Sequence, residues 1–231
     1  MNPSPFAAAT DARAARFDIY APIHKALRMF MTDTLQRVGR MDLHDARDLQ
    51  AALAQLESLL DGAERHLRHE NAFVHPAVER HAEGGSHRLA AEHEAHLQAI
   101  AALSEGAAAL RADPTPAAAH RLYRQLASFV AENFEHMEIE ESSLNRALWA
   151  AYDDAALQAL EGRILASIDA QEMSVWLRWL IPALSPAERA SLIGGMPPEA
   201  RAPALEAARA LLDAAAWAKL RGALAPLTAV A

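Results

Sequence analysis

The chain has no cysteine. That excludes disulfides, iron–sulfur clusters, thiolate zinc sites and cysteine nucleophiles, and it fits a reducing, cytoplasmic setting. Glycine is scarce, at 9 of 231 residues, and aromatic residues make up only 6%. No lysine- or arginine-rich run occurs, and 22 basic residues face 30 acidic ones for a net charge of −8. This balance argues against nucleic-acid binding through phosphate neutralisation. No stretch is apolar for 18 residues, so no membrane span is expected. Met1–Thr10 lack the charged start and apolar core of a signal peptide, so none is expected either.

What is abundant points one way. Hydrophobic residues make up 52% and charged residues 23%, a globular balance. Alanine supplies about a quarter of the chain, and it is the best helix former and a poor strand former. The expected fold class is therefore all-α. Eleven histidines are present, and every one lies at or before His136.

Breakers divide the chain. Residues 1–16, with Pro3 and Pro5, read as a loose leader. Helices are expected over about 18–38, 45–74, 86–110 and 116–148, separated by Gly39, by Pro76 with Gly84 and Gly85, and by Pro114 with Pro116. Ser86 is the expected N-cap of the third. Four helices of this length with short connections read as an antiparallel up-down-up-down four-helix bundle over residues 17–148. Residues 149–231 read as a C-terminal helical extension, with shorter segments at about 154–170, 172–181, 186–193, 199–212 and 213–224. The extension carries Trp149, Trp176, Trp179 and Trp217. It is expected to pack on the bundle; its aromatics also make it the candidate surface for a homodimer or another partner.

Helical spacing sorts the side chains into stripes. The first helix gives Tyr20, His24, Leu27, Met31, Leu35 and Val38. The second gives Leu49, Leu53, Leu56, Leu59, Ala63, His66, Glu70 and Phe73. The third gives Leu89, His93, Leu97 or His96, Ile100, Leu103 and Leu110. The fourth gives Leu122, Leu126, Phe129, Asn133, His136, Glu140 and Leu144. Four histidines and two carboxylates thus point at one bundle axis. Burying them without a partner is costly, and a metal ion that imidazole and carboxylate both suit, such as iron, manganese or zinc, removes the cost.

Chance placement of the histidines and glutamates yields about one His-x-x-x-Glu pair, but three occur: His66/Glu70, His75/Glu79 and His136/Glu140. At about 100° per residue His75 falls opposite His66, and it adjoins Pro76, so the second pair is set aside. The longer spacing says more. His24 precedes His66 by 42 residues and His93 precedes His136 by 43. Each helical hairpin carries a His and then His-x-x-x-Glu, which suits two half-sites facing each other. A ferritin-like site needs Glu-x-x-His, and no histidine here has a glutamate three residues before it.

These segments, “HLRHENAFVHP” at 66–76, “EHEAHL” at 92–97 and “HMEIEE” at 136–141, resemble the hemerythrin-like, or HHE cation-binding, family. The resemblance covers about residues 17–148. It implies a bundle holding a non-haem di-iron centre of two iron ions, for which zinc or manganese could substitute. His24, His66, His93 and His136 then look like terminal ligands, and Glu70 and Glu140 like bridging carboxylates. The family's oxygen carriers have a further histidine where this chain has Leu89, which makes the two irons unequal and favours oxidation over reversible O₂ binding. His96 and His69 are expected beside the ligands or at the surface. Glu138 and Glu141 are expected to face solvent. His44, His81, His87 and His120 are assigned no role.

The function expected is binding of O₂, NO or a peroxide-level species for sensing, scavenging or storage. Two other readings stay open. One is a di-iron redox enzyme. The other is an interaction protein with a structural or regulatory metal and a partner-binding C-terminal region.

Overall fold

The computed structural model describes residues 16–228. The expected leader thus lies outside the described residues except for Arg16. Helix is the only regular secondary structure among them. The order is α1 (Ala21–Arg40), α2 (Ala46–His69), a π-helical turn (Glu70–Val74), α3 (His75–Glu79), α4 (His87–Ala112), α5 (Pro116–Ile139), a second π turn (Glu140–Leu144), α6 (Asn145–Ala151), α7 (Asp154–Ser167), α8 (Ala170–Ala183), α9 (Pro186–Gly195), α10 (Pro198–Leu211) and α11 (Ala214–Thr228).

Local chemistry sets the ends. Pro22 lies in the first turn of α1, where its missing N–H costs nothing. The Asp45 carboxylate accepts from the backbone N–H groups of Arg47 and Asp48 to start α2, and the Thr115 hydroxyl accepts from Ala118 to start α5. Ser86 does not cap α4 as expected. It donates its hydroxyl to Glu79 at 2.7 Å, and Glu79 also accepts from the N–H groups of Gly84 and Ser86. This knot forms because Gly84, with φ +77°, turns the chain back through a conformation open to glycine.

The four long helices pack in a closed ring, α1 against α2 and α5, and α4 against α2 and α5. Their apolar stripes meet in a core that includes Phe30, Leu53, Leu56, Leu103, Leu122, Leu126 and Phe129. Full burial of each such side chain is worth about 1.5–3 kcal/mol. A second apolar cluster, with Ile19, Tyr20, Val74, Val78, Leu89, Leu144 and Leu148, lies where the start of α1 meets α3, α4 and α6.

The C-terminal helices do not stand apart from the ring. α8 lies along α1. Trp179 stacks on Phe30 with ring centroids 4.1 Å apart, and Trp176 sits over Gly62 of α2. Both tryptophans belong to the main core, so they do not form an open docking surface. A third small core, with Ile181, Ile193, Ala204, Ala208, Leu212 and Leu220, joins α8 to the later helices. Buried Arg189 closes the end of α8 by donating to the carbonyls of Ile181 and Leu184.

Candidate metal centre

The ring brings His24, His66, Glu70, His93, His136 and Glu140 together, each from the stripe that placed it there. Two groups of four ligand atoms result, each within 4.8 Å: His24, His66, Glu70 and Glu140, and Glu70, His93, His136 and Glu140. The two glutamates belong to both. Their individual oxygens divide between the groups. Glu70 Oε1 lies 3.7 Å from His24 Nε2 and 3.1 Å from His66 Nε2, while its Oε2 lies 3.5 Å from His93 Nε2. Glu140 Oε2 lies 3.5 Å from His24 Nε2, while its Oε1 lies 3.4 Å from His136 Nε2 and 4.0 Å from His93 Nε2.

All four carboxylate oxygens are buried without a hydrogen-bond partner, as are His24 Nε2 and His66 Nε2. Buried polar atoms of this kind are rare and costly unless something meets them. The far ring nitrogens, by contrast, are held. His24 Nδ1 meets Glu141 Oε1 at 2.9 Å, and Glu141 is itself paired with Arg28. His93 Nδ1 meets Asn71 Oδ1 at 2.9 Å. His136 Nδ1 meets Glu92 Oε2 at 2.8 Å, and Glu92 is held by Arg88. Acceptors at Nδ1 keep the proton there and turn the Nε2 lone pair inward, as metal-ligating histidines require. His93 Nε2 and His136 Nε2 then lie 3.0 Å apart. Two lone pairs at that distance repel unless a cation or a proton lies between them.

The ionisation pattern has the same cause. Burial pushes Glu140 up, and the charge on Glu70 adds to that. Burial also opposes charge on Glu70, but His66 and His24 outweigh it and hold its carboxyl well below the usual range. Burial lowers His24 and His136, yet their carboxylate partners win and raise both to about 9. Burial dominates at His93, which falls to about 3. The donor set, the orphaned oxygens and the repelling carboxylates all fit a cation held between them.

The two π turns are the part that sequence spacing misses. Each begins at a glutamate of the centre. A π turn holds one extra residue, so the chain beyond it is rotated by about 100°. Phe73, expected on the buried stripe, is partly exposed, and Val74 takes the inner place. His75, set aside as facing away, is instead buried and stacks on His93 with centroids 4.8 Å apart. Glu141 does not point to solvent; only Glu138 does.

His96 is buried beside Phe129 and edge-on to His136 at 4.9 Å, outside both ligand groups. His69 turns to α8, where its Nε2 meets buried Glu172 at 3.0 Å, and Glu172 also accepts from Trp176. His44, His81, His87 and His120 are exposed.

The sequence profile of the hemerythrin HHE cation-binding domain matches residues 17–174. The chain belongs to this family. The matched region runs beyond the four long helices and ends within α8. No curated protein and no solved structure gives a significant match. As a member of a cation-binding family with His and Glu groups positioned for a metal, this hemerythrin-family chain is a metal-binding protein. No helix among the described residues is long and apolar enough to cross a membrane.

Proposed function

We propose that residues His24, His66, Glu70, His93, His136 and Glu140 hold two iron ions, and that the protein binds O₂, NO or a peroxide-level species through them for sensing, scavenging or storage. One observation carries this reading. Each glutamate turns one oxygen toward His24 and its neighbours and the other toward His93 and its neighbours. A carboxylate placed in this way joins two metal positions. A mononuclear site has no use for two carboxylates each divided between two histidine pairs. An antiparallel up-down-up-down arrangement of α1, α2, α4 and α5 is the topology that gives both hairpins this equivalent approach.

A dinuclear iron centre supplies reversible one- and two-electron chemistry to a small ligand. Six protein ligands leave positions open on two six-coordinate irons. The chain's own residues do the rest. Glu141, Asn71 and Glu92 fix the imidazole rings. Leu27, three residues after His24, and Phe129, seven before His136, are buried on the same stripes, and that apolar burial keeps bulk water and large substrates away. The site is suited to a ligand of a few atoms.

The test is spectroscopic. Protein loaded anaerobically with Fe²⁺ is expected to turn diferric in air without a stable oxygenated form, and azide is expected to perturb the diferric spectrum. A loaded protein whose spectrum ignores air, NO and azide has a closed, structural centre, and the proposal fails.

A further inference from the structure

Three polar side chains stand beyond the two glutamates and take no part in the ligand set. Tyr20 is buried, its ring lies 5.1 Å from that of His24, and its hydroxyl has no hydrogen-bond partner. His75 is buried against His93, at an interplanar angle of 21°, and its Nε2 has no partner. Asn145 is 0% exposed, and neither its amide nitrogen nor its carbonyl oxygen has a partner. A buried phenol, imidazole and carboxamide left unpaired, two of them against histidines of the ligand set, are not explained by packing.

Their placement follows from the π turns. His75 comes five residues after Glu70, and Asn145 five residues after Glu140. In each case the residue's backbone N–H donates to the carbonyl of its glutamate across the turn. The extra residue gives each the place that position i+4 has in an unbroken α-helix, about 40° around from the glutamate. Without the π turns both would point about 140° away. Tyr20 reaches the same end from one turn before His24. It shares a buried cluster with Val74, which precedes His75, and with Leu144, which precedes Asn145. Burial raises its hydroxyl well above the usual range, and the charges of Glu140 and Glu70 add to that.

Resting on the dinuclear reading above, we propose that Tyr20, His75 and Asn145 form a hydrogen-bonding cap for a small anionic ligand of the centre. The Tyr20 hydroxyl and the Asn145 amide donate to it, and His75 Nε2 faces it from the side of His93. Two fixed donors stabilise a bound ligand that carries negative charge and available lone pairs, such as azide or reduced dioxygen. The enclosure by Ile19, Val74, Leu89, Leu144 and Leu148 limits the ligand to a few atoms.

The test uses full-length, iron-loaded protein with azide as the probe. Tyr20→Phe and Asn145→Leu each remove polar atoms at nearly constant volume. Each variant is assayed for iron per chain and for azide dissociation constant by visible absorption. The expected result is unchanged iron content, azide binding weakened about fivefold or more in each variant, and a shifted azide band. Unchanged azide affinity and band in both variants at full iron content overturns the cap. Loss of iron in Tyr20→Phe also overturns it, by placing Tyr20 in the ligand set. Wild-type protein that fails to load iron or to respond to azide defeats the dinuclear reading itself, and the cap with it. If Asn145→Leu does not fold, Tyr20→Phe, which removes a single oxygen, decides.

Discussion

Glu141 holds His24 Nδ1 at 2.9 Å across 117 residues of chain. Asn71 does the same for His93. Each is the residue directly after a glutamate of the centre, so Glu70-Asn71 and Glu140-Glu141 act as paired units. The first member belongs to both candidate ligand groups, and the second fixes a histidine on the other pair of long helices. Glu141→Ala frees the His24 ring. Loss of a partner of this kind typically lowers metal affinity about 10–100-fold. Glu138→Ala, at an exposed position on the same helical stretch, should leave affinity unchanged. Competitive metal titration of the two variants checks this.

Metal uptake should release protons. Without metal, His24 and His136 sit at about 9 and are protonated at pH 7, while His93, at about 3, is already neutral. Binding takes both protons off, so up to two protons leave per chain and affinity rises with pH until about 9. The metal-free protein responds in the opposite sense. Two histidines raised from 6.5 stabilise the fold fully below pH 6.5, and that contribution is lost as pH rises through about 9. Zinc titration in weak buffer with an indicator measures the protons, and melting temperatures of the metal-free protein at pH 6.5 and 9 measure the stability.

The carboxylates rank by role. Glu70→Ala and Glu140→Ala each remove a residue shared by both ligand groups, so either should reduce metal content far more than Glu79→Ala. Glu79 should matter for stability instead, because it gathers the N–H groups of Gly84 and Ser86. Metal analysis and thermal melts of the three variants separate the two effects. Equal metal loss in all three contradicts the assignment.

Much of this was legible in the sequence, and what was not has one main cause. The four stripes, the His/Glu set and the spacing of the two hairpins follow from residue type and a uniform helical period. That same uniform period fails at Glu70 and Glu140, where the π turns add a residue. Nothing in “ENAFV” or “EESSL” marks a π turn by composition. Uniform spacing therefore misplaces His75, Phe73 and Glu141 and does not single out Asn145. The offset of about 70 residues that relates His66 to His136 also relates Asn71 to Glu141 and His75 to Asn145, and it is the one signal that could have paired them. The extension is expected to pack on the bundle, and the burial of Trp176 and Trp179 bears this out, but which of its tryptophans it buries is not legible. A tryptophan's type does not say whether its surface is covered by the same chain or by another.

The tryptophans make α8 part of the bundle. Trp179→Ala removes a buried ring stacked on Phe30 and should cost roughly 3 kcal/mol or more. A fragment ending near residue 150 lacks α8 and exposes the Phe30 face, and it should aggregate or melt early. A fragment ending at 184 keeps α8 and should remain folded and bind metal. Denaturant melts of the variant and size measurement of the two fragments test this.

On the proposed reading one chain holds two metal ions between shared glutamates. The most direct measurement is iron per chain after anaerobic Fe²⁺ loading and removal of unbound metal. Close to two irons per chain are expected in the wild type, and loss of both in Glu70→Ala and in Glu140→Ala. A wild-type protein that saturates at one iron, or that stays metal-free, contradicts it.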